Sequence, residues 1–394
     1  MTGYLDAVHD ALERLDDLGY ERRLGGGDLA NHGPMAAETI AVLGHGDHVP
    51  AWIDLYRSAA PHHEPPVPYQ AIDPDDDTDW RAAMGDIGRA GDFEVLFTRH
   101  IDTHGWQDTL TTWWPRLLPG PMTGLTHGLI RTAHAVRSIT ATPTPSRAQL
   151  TELARGLGYW AARFIDHPGP GRLTGTLSIP HAVAALRRLD TPPQDPRHAA
   201  RLLKDAHTLP GFREALERPA GGDPHRILSD MTAEFAGICV SHTDHRFPIP
   251  LVHGVTAPAA ARLVLPWLPP RLHEATVAAA ARLVLPWLPP RLHEATVAAV
   301  WQAQVTLLML AGGDPAAETT AWRRARDHEP TPWPALAEAA VAHGDEHVVK
   351  FTEALMREHT LRPDPRYAYA ARAAIDHIAR PGHGHSAATA RFGT

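Results

Sequence analysis

The sequence predicts an all-α fold, a single large helical bundle-like domain with little or no sheet. Apolar residues recur at helical spacing in segment after segment, and no stretch shows a convincing period-two alternation bounded by turn residues. Hydrophobic residues make up 43% of the 394 residues, enough for a sizeable core. No clear linker interrupts residues 1–380, whereas residues 381–394, rich in Gly, Ser, Ala and His, are expected to form a disordered tail.

The expected helices follow one another along the chain, interrupted by a proline-rich and acidic loop at Ala60–Asp79. Pro34 suits the first turn of a helix, and Gly105 and Pro119 stand where helical spacing stops. The predicted helices are Tyr4–Leu18, Pro34–Leu43, Ala51–Tyr56, Phe93–Asp102, Gln107–Leu118, Leu125–Ile139, Ala148–Ile165, Pro180–Arg188, Arg197–His207, Arg226–Val240, Thr296–Ala311, Pro334–Ala342, His343–His359 and Tyr367–Ala379.

An exact tandem duplication occupies residues 259–298. Residues 259–278 read AAARLVLPWLPPRLHEATVA, and residues 279–298 repeat them letter for letter. Two copies do not make a solenoid, which needs three or more units. We expect one copy to pack and the other to be accommodated as an additional helical hairpin near the surface, because loops tolerate insertions best. Trp267 or Trp287 is therefore expected to be unusually exposed.

Composition argues against several classes of protein. The net charge is −8 and no basic stripe is present, which argues against a nucleic-acid partner. Residues 1–20 lack the basic and apolar regions of a secretory signal, and no run approaches ~18 apolar residues, so a cytoplasmic protein without a membrane span is expected. Cys239 is the single cysteine, which excludes an intramolecular disulfide and a multi-thiolate metal site. The oligomeric state is not indicated.

Familiar catalytic motifs are missing from the sequence. Gly25–Gly27 lacks both the Gly-Lys-Ser/Thr ending of a phosphate loop and the strand that precedes a dinucleotide fingerprint, so we interpret it as a turn. There is no G-x-S-x-G nucleophile elbow and no H-E-x-x-H zinc motif. A serine hydrolase of that class and a zinc protease are therefore disfavoured.

Histidine is the residue type left to carry chemistry. The chain has 27 histidines, and neutral imidazole is the commonest protein metal ligand, suited to zinc, iron, copper and nickel. His32 at the entrance of an apolar helix, His127 at the head of another, and His253 just before a helix all have apolar neighbours, as a buried ligand should. His134 follows His127 about two turns later on the same face. Taken alone, each is more often a hydrogen-bonded core or surface histidine. Histidines that fail this test are His62, His63, His245, His383 and His385.

Lysine is rare, because only Lys204 and Lys350 occur among 37 basic residues. His343, His347 and Lys350 lie at spacings of four and three on one predicted helix face. Lys350 has apolar neighbours, and burial lowers the pKa of a lysine and favours the neutral amine. A neutral amine can add carbon dioxide to give a carbamate, a negatively charged oxygen ligand. The alternative is a lysine whose stem lies along an apolar face while its ammonium stays in water.

Four short segments, in this order, resemble the questin oxidase-like family, which includes fungal enzymes of anthraquinone and aflatoxin-type pathways. They are Asn31-His32 with the helix that follows, residues 126–130 (THGLI), residues 252–256 (VHGVT) and residues 347–351 (HVVKF). Trp80 and the pair Tyr159-Trp160 are similar as well. Where fungal relatives often show His-Pro-Leu-Ile-His, this chain has an arginine at position 131, so His134 becomes a candidate substitute for the missing histidine or a residue behind the ligands.

The resemblance implies a helical enzyme that oxidises or cleaves polycyclic aromatic ketones with dioxygen. It implies one Fe²⁺ ion held by His32, His127, His253, His347 and a carbamylated Lys350, with one open position. A small aromatic substrate and O₂ are the implied partners, and no catalytic residue beyond the ligands is assigned. NADPH use has also been attributed to the family, although the sequence shows no nicotinamide or flavin fingerprint. The tryptophans that either line a flat aromatic pocket or pack in the core are Trp52, Trp113, Trp114 and Trp160.

Two other functions are compatible with the sequence. A metal-dependent hydrolase can also use a carbamylated lysine, between two metal ions, although such enzymes usually supply alternating strands and helices with acidic ligands. A non-catalytic helical binding protein would be rich in histidine by composition alone. The separation and exposure of the four histidines and Lys350 in the folded chain distinguish this last alternative from a metal site.

Overall fold

The computed structural model describes residues 3–24, 27–167, 169–189, 201–241, 249–268 and 292–381. The fold is 68% helical with one two-stranded sheet among these residues, so the predicted all-α class is confirmed. The helices are α1 (Tyr4–Arg14), α2 (Gly33–Val42), α3 (Val49–Ala59), α4 (Asp77–Ala83), α5 (Ala90–His104), α6 (Trp106–Leu117), α7 (His127–Thr140), α8 (Arg147–Ala162), α9 (Ile179–Ala184), α10 (Phe212–Glu217), α11 (Pro224–Val240), α12 (Ile249–Val264), α13 (Leu292–Ala311), α14 (Pro315–Ala325), α15 (Trp333–His343), α16 (Glu346–Leu361) and α17 (Arg366–His377).

Helix α12 lies at the centre of this fold. It packs against α7, α11, α13 and α16, while α2 packs against both α7 and α16. Every residue from 250 to 261 is buried, as expected for a helix that is apolar on all sides and enclosed by others. Pro258 cannot donate to the carbonyl of Gly254 one turn earlier, and the side-chain amide of Gln304 from α13 donates to that carbonyl instead, at 2.6 Å.

Two segments, Ile249–Trp267 and Leu292–Ala311, are long and apolar enough to cross a membrane by length and composition. Of these apolar stretches, 78% and 83% respectively are buried inside the fold. Their apolar surface is therefore covered by neighbouring helices, as in core helices.

A small hairpin is the one sheet among the described residues. Strands β1 (Glu21–Leu24) and β2 (Gly27–Ala30) pair antiparallel, with Glu21 opposite Ala30. No strand was predicted here because β1 carries Glu21 and Arg22, and charged side chains are not typical of a half-buried strand. Both are nevertheless buried, at 7% and 3% exposure. Of the predicted turn, Gly25 and Gly26 lie outside the described residues.

Several predicted boundaries were wrong. The break between the predicted helices Pro334–Ala342 and His343–His359 lies slightly later, because His343 still belongs to α15, Gly344 ends that helix in a left-handed conformation (φ +84°), and Asp345 caps α16. His253 lies within α12, not before a helix. The predicted loop Ala60–Asp79 ends in α4, whose N-cap is Asp76. Helices α10 and α14 were not predicted. Of the predicted helix Arg197–His207, residues 201–204 are helical and Ala206–Thr208 form a 3₁₀ turn, while residues 197–200 and most of the tail 381–394 lie outside the described residues.

Each copy of the duplicated segment contributes one part of itself to the described fold. Residues 259–268 of the first copy complete α12 and a short 3₁₀ turn, while residues 292–298 of the second copy begin α13. His293 contacts the carbonyl oxygen of Leu268 at 2.8 Å, so the two ends lie side by side. Trp267 is 38% exposed and contacts Trp106 edge to face; Trp287 lies outside the described residues. Together, the described parts of the two copies correspond to most of the sequence of a single copy.

Deletion of residues 269–288 should therefore leave the fold intact. It restores a single copy, keeps the sequence of every described residue, and joins Leu268 to Leu292 through residues 289–291. Loop-closure free energy changes by only about 0.6 kcal/mol per doubling of length, so the free energy of unfolding should change by no more than about 2 kcal/mol. Urea denaturation tests this, with a Gly/Ser replacement of residues 269–288 as the control; failure of the deletion variant to fold would contradict it.

Candidate metal centre

Four of the predicted histidines lie together at the convergence of α2, α7, α12 and α16. The rings of His32 and His127 stack with centroids 4.4 Å apart, and His253 contacts His127 edge to face at 4.6 Å. His347 lies 4.7 Å from His32 and 6.3 Å from His253. Residues separated by up to 315 positions in the sequence thus form one group of imidazoles.

Each of the four rings carries one buried nitrogen without a hydrogen-bond partner among the described residues, and in three of them this nitrogen is Nε2. The Nε2 atoms of His32, His127 and His253 make no hydrogen bond with any described residue, although the residues are only 1–5% exposed. Buried polar atoms are nearly always hydrogen-bonded, so a group of unpartnered nitrogens calls for an explanation. Burial, the largest cause, and neighbouring cationic groups hold the pKa of all three imidazoles well below 6.5. The rings are therefore neutral near pH 7, which is the form that binds metals.

The other ring nitrogen of each histidine is held by the protein. His32 Nδ1 lies 3.1 Å from a carboxylate oxygen of Glu346, and His253 Nδ1 lies 3.1 Å from the hydroxyl of Thr126. His127 Nδ1 contacts the carbonyl oxygen of Gly124. These bonds orient the rings so that their Nε2 atoms are left free. His347 differs, because its Nδ1 lies 3.3 Å from Asp345 without hydrogen-bond geometry.

An unusual turn before α7 sets two of these contacts. Gly124, Leu125 and Thr126 all have positive φ, at 54°, 56° and 69°. Non-glycine residues in this conformation are strained by roughly 1–2 kcal/mol each and concentrate at functional sites. The turn places the carbonyl of Gly124 under His127 and the hydroxyl of Thr126 against His253.

Lys350 lies one turn after His347 on α16 and is 3% exposed. Its ammonium makes no hydrogen bond or ion pair with the residues that the structure describes, yet it is close enough to lower the pKa of His32, His127 and His253. Burial lowers the pKa of Lys350 itself to about 8, although Glu346 and Asp345 oppose the shift. Lys350 is therefore a buried amine that is easily deprotonated beside the imidazoles.

Other candidates lie outside this group. His134 contacts Glu38 at 2.8 Å in a buried network with Arg137. His343 contacts the carbonyl oxygen of Ile378 at 3.0 Å, which serves the packing of α15. The predicted tryptophans pack in the core and none lines the cavity described next; they are Trp52, Trp113, Trp114 and Trp160.

A cavity of about 220 Å³, the inner cavity, opens onto the four imidazoles. One wall is apolar, with Met122, Leu125 and Phe164 among its residues. The opposite wall is polar: Arg163 Nε donates to Glu21 at 2.8 Å, and the hydroxyl of Tyr159 lies 3.3 Å from the same carboxylate. A larger outer pocket of about 660 Å³ shares Phe164 and His167 with the inner cavity.

The charged residues around the site were not predicted from the sequence; they are Glu21, Arg22, Arg163 and Glu346. A charged residue in a sequence is ordinarily read as exposed, and each of these is held by a partner far away in the chain. Glu346 precedes a candidate ligand directly, which was a weak signal. Nothing local marked the hairpin residues.

The residues present suit a metal ion. Three unpartnered Nε2 atoms, a fourth imidazole and a deprotonable amine form a nitrogen-rich set, which suits iron, zinc, copper or nickel better than magnesium or calcium. Ligating atoms of His32, Glu346 and His347 lie within 4.8 Å of one another, and the ring of His127 lies between those of His32 and His253 at centroid distances of 4.4 and 4.6 Å.

Comparison with known proteins agrees with the resemblance drawn from the motifs. The sequence model of a family described as questin oxidase-like matches residues 30–355, a range that contains all five candidate ligands. A search of curated proteins finds no match for this chain. The family description indicates an oxidase or oxygenase, and hence an oxidoreductase. With most of its length matched, the chain belongs to the questin oxidase-like family.

Proposed function

We propose that the protein is an O₂-dependent oxygenase of polycyclic aromatic ketones or quinone-like secondary metabolites, with one iron ion held by His32, His127, His253, His347 and a carbamate on Lys350. The observation that supports this proposal is the set of three buried, unpartnered Nε2 atoms, carried by rings that contact one another beside a buried amine. Such a set is costly to bury unless a cation binds it.

Lys350 has the chemistry that a carbamate needs. With a pKa of about 8, roughly a tenth of the amine is neutral at pH 7. The ammonium first loses one proton. The neutral Nζ then forms a bond to the carbon of CO₂ and loses a second proton, so a cationic side chain becomes an anionic oxygen donor. A negative donor among neutral imidazoles favours a divalent cation.

When bound, ferrous iron in such a site supplies the activation of dioxygen beside the substrate. The chain itself positions the substrate. The apolar wall of the inner cavity suits the face of an aromatic ring, and the polar wall offers the guanidinium of Arg163. Its Nη1 makes no hydrogen bond with a described residue, so it is free to donate to a carbonyl or phenolate oxygen of the substrate.

The cavity volumes bear on substrate size. An apolar cavity of about 150 Å³ is enough to bind benzene, so the inner cavity at about 220 Å³ holds the reacting ring but not a large polycycle. The remaining rings would extend past Phe164 into the outer pocket. Phe164 and His167 would thus lie at the junction between the two parts of the substrate.

The electron balance distinguishes two outcomes. Ring cleavage that places both atoms of O₂ in the product needs no further reductant. Insertion of one atom next to the carbonyl, as in a Baeyer–Villiger reaction, needs two more electrons, which a hydroquinone substrate or NADPH would supply. Labelled ¹⁸O₂ distinguishes them, since two labelled atoms enter the product in the first case and one in the second.

The two lysines give a matched test of the carbamate. In zinc-loaded protein with ¹³C-bicarbonate, we expect one ¹³C-carbamate NMR signal that Lys350→Ala abolishes and the exposed-site variant Lys204→Ala retains. Iron content after anaerobic reconstitution should fall in Lys350→Ala alone, because a charged donor is lost. Equal iron content in the wild type and Lys350→Ala would contradict the carbamate, and selective uptake of zinc pairs would favour a hydrolase.

Arg163→Gln tests the substrate site. With reduced hydroxyanthraquinones as the probe, the iron-loaded wild type should consume O₂, and Arg163→Gln should raise KM roughly 10- to 100-fold, as expected for loss of a hydrogen bond to a charged group. Arg155→Gln is the control, because Arg155 of α8 forms a similar pair with Glu94 of α5 but does not line the cavity. The same KM in both variants would rule out a role for Arg163 in binding this probe.

A further inference from the structure

We infer that Glu346, held by Arg22, is a positioning residue that fixes the tautomer and orientation of His32, so that His32 Nε2 faces the metal site. The inference rests on the proposed metal centre and assigns a role to two charged residues outside the ligand set. It is argued from the hydrogen bonds of buried groups and from the number of protons that each group can donate.

The contact joins three buried side chains. His32 Nδ1 lies 3.1 Å from Glu346 Oε1, and Arg22 Nη2 contacts the same oxygen. The side chains of Arg22, His32 and Glu346 are only 3–7% exposed. One oxygen atom of Glu346 therefore contacts both a guanidinium and an imidazole, with water largely excluded.

These facts fix where the proton of His32 sits. A carboxylate that is paired with a guanidinium only accepts hydrogen bonds, and an imidazole that binds a metal ion is neutral and has a single N–H. The N–H of His32 must therefore be at Nδ1, which leaves the lone pair on Nε2, the atom without a partner in the described structure. A carboxylate behind a ligating histidine also makes the imidazole a stronger donor to a metal ion.

The partners of the other histidines differ in this respect. The carbonyl of Gly124 also accepts only, so it fixes the same tautomer of His127, but it carries no charge. The hydroxyl of Thr126 can donate or accept, so it does not select a tautomer of His253 by itself. Among these three contacts, that of His32 is the one made by a charged group.

Arg22 keeps the carboxylate in place. Strand β1 alternates its side chains, so Glu21 lines the inner cavity while Arg22 points to Glu346. The guanidinium of Arg22 lies 4.6 Å from the ring centre of Tyr56, whose hydroxyl accepts a hydrogen bond from the backbone amide of His32. Other charged or titratable groups nearby are Asp345, His347 and Lys350. The ion pair with Arg22 opposes a turn of Glu346 toward the cation itself.

The test is Co²⁺ affinity, measured by competition with a chelator and by the visible spectrum of the bound ion. Glu346→Gln should weaken Co²⁺ binding about 10- to 100-fold, the usual effect of removing a partner behind a ligand. Glu152→Gln is the matched control, because Arg131 and Glu152 form a pair of equal burial that lines no part of the cavity. The control should lose similar stability and keep its Co²⁺ affinity.

Two further variants keep the inference testable if Glu346→Gln does not fold or is merely destabilised. Glu346→Asp keeps the charge beside Arg22 but withdraws the carboxylate from His32, so Co²⁺ affinity should still fall if Glu346→Gln does not fold. In a His32→Gln background, Glu346→Gln should have no further effect on the affinity that remains, whereas a purely structural role would give additive losses. Additive losses would overturn the inference.

The outcomes separate the two claims. A wild-type protein that binds Co²⁺, together with a folded Glu346→Gln that binds it equally well, overturns the role of Glu346 and leaves the metal centre standing. A wild-type protein that binds no Co²⁺ overturns both. Weaker binding in Glu346→Gln but not in Glu152→Gln supports the inference.

Discussion

The constraint on which the structure depends is the burial of imidazole nitrogens that the protein does not satisfy. Each unpartnered buried polar atom costs about 1–3 kcal/mol. His32, His127 and His253 present three such atoms in adjacent rings, while the second nitrogen of each ring contacts a hydrogen-bonding partner in the protein. A fold that tolerates this arrangement is understandable if a cation supplies the missing partner.

The helices come close enough to bring the imidazoles together because small residues follow two of the candidate ligands. Gly128 follows His127, and a Cβ atom there would overlap the ring of Trp160. Gly254 follows His253, and a Cβ atom there would overlap the ring of Phe235. Each glycine lets its helix approach a fully buried aromatic side chain, so the histidine before it is carried into the centre of the fold.

The sequence predicted the helices well because their apolar spacing is a local signal. The His32, His127, His253 and Lys350 segments were found through their apolar neighbours, and their order matched the family. The hairpin, the exact position of the break at Gly344 and the roles of Arg22 and Glu346 were not predicted. Arg22 and Glu346 are partners hundreds of residues apart, and the break depends on one backbone conformation. His134 and His343 passed the same sequence criteria as the candidate ligands, yet their partners are Glu38 and Ile378.

The most direct measurement is a crystal structure of iron-loaded protein with anomalous diffraction recorded at the iron absorption edge. The account requires one iron peak bonded to nitrogens of His32, His127, His253 and His347, with electron density for a carbamate on Lys350 as a further ligand. An iron peak elsewhere, or no peak among these rings in protein that contains iron, would contradict it.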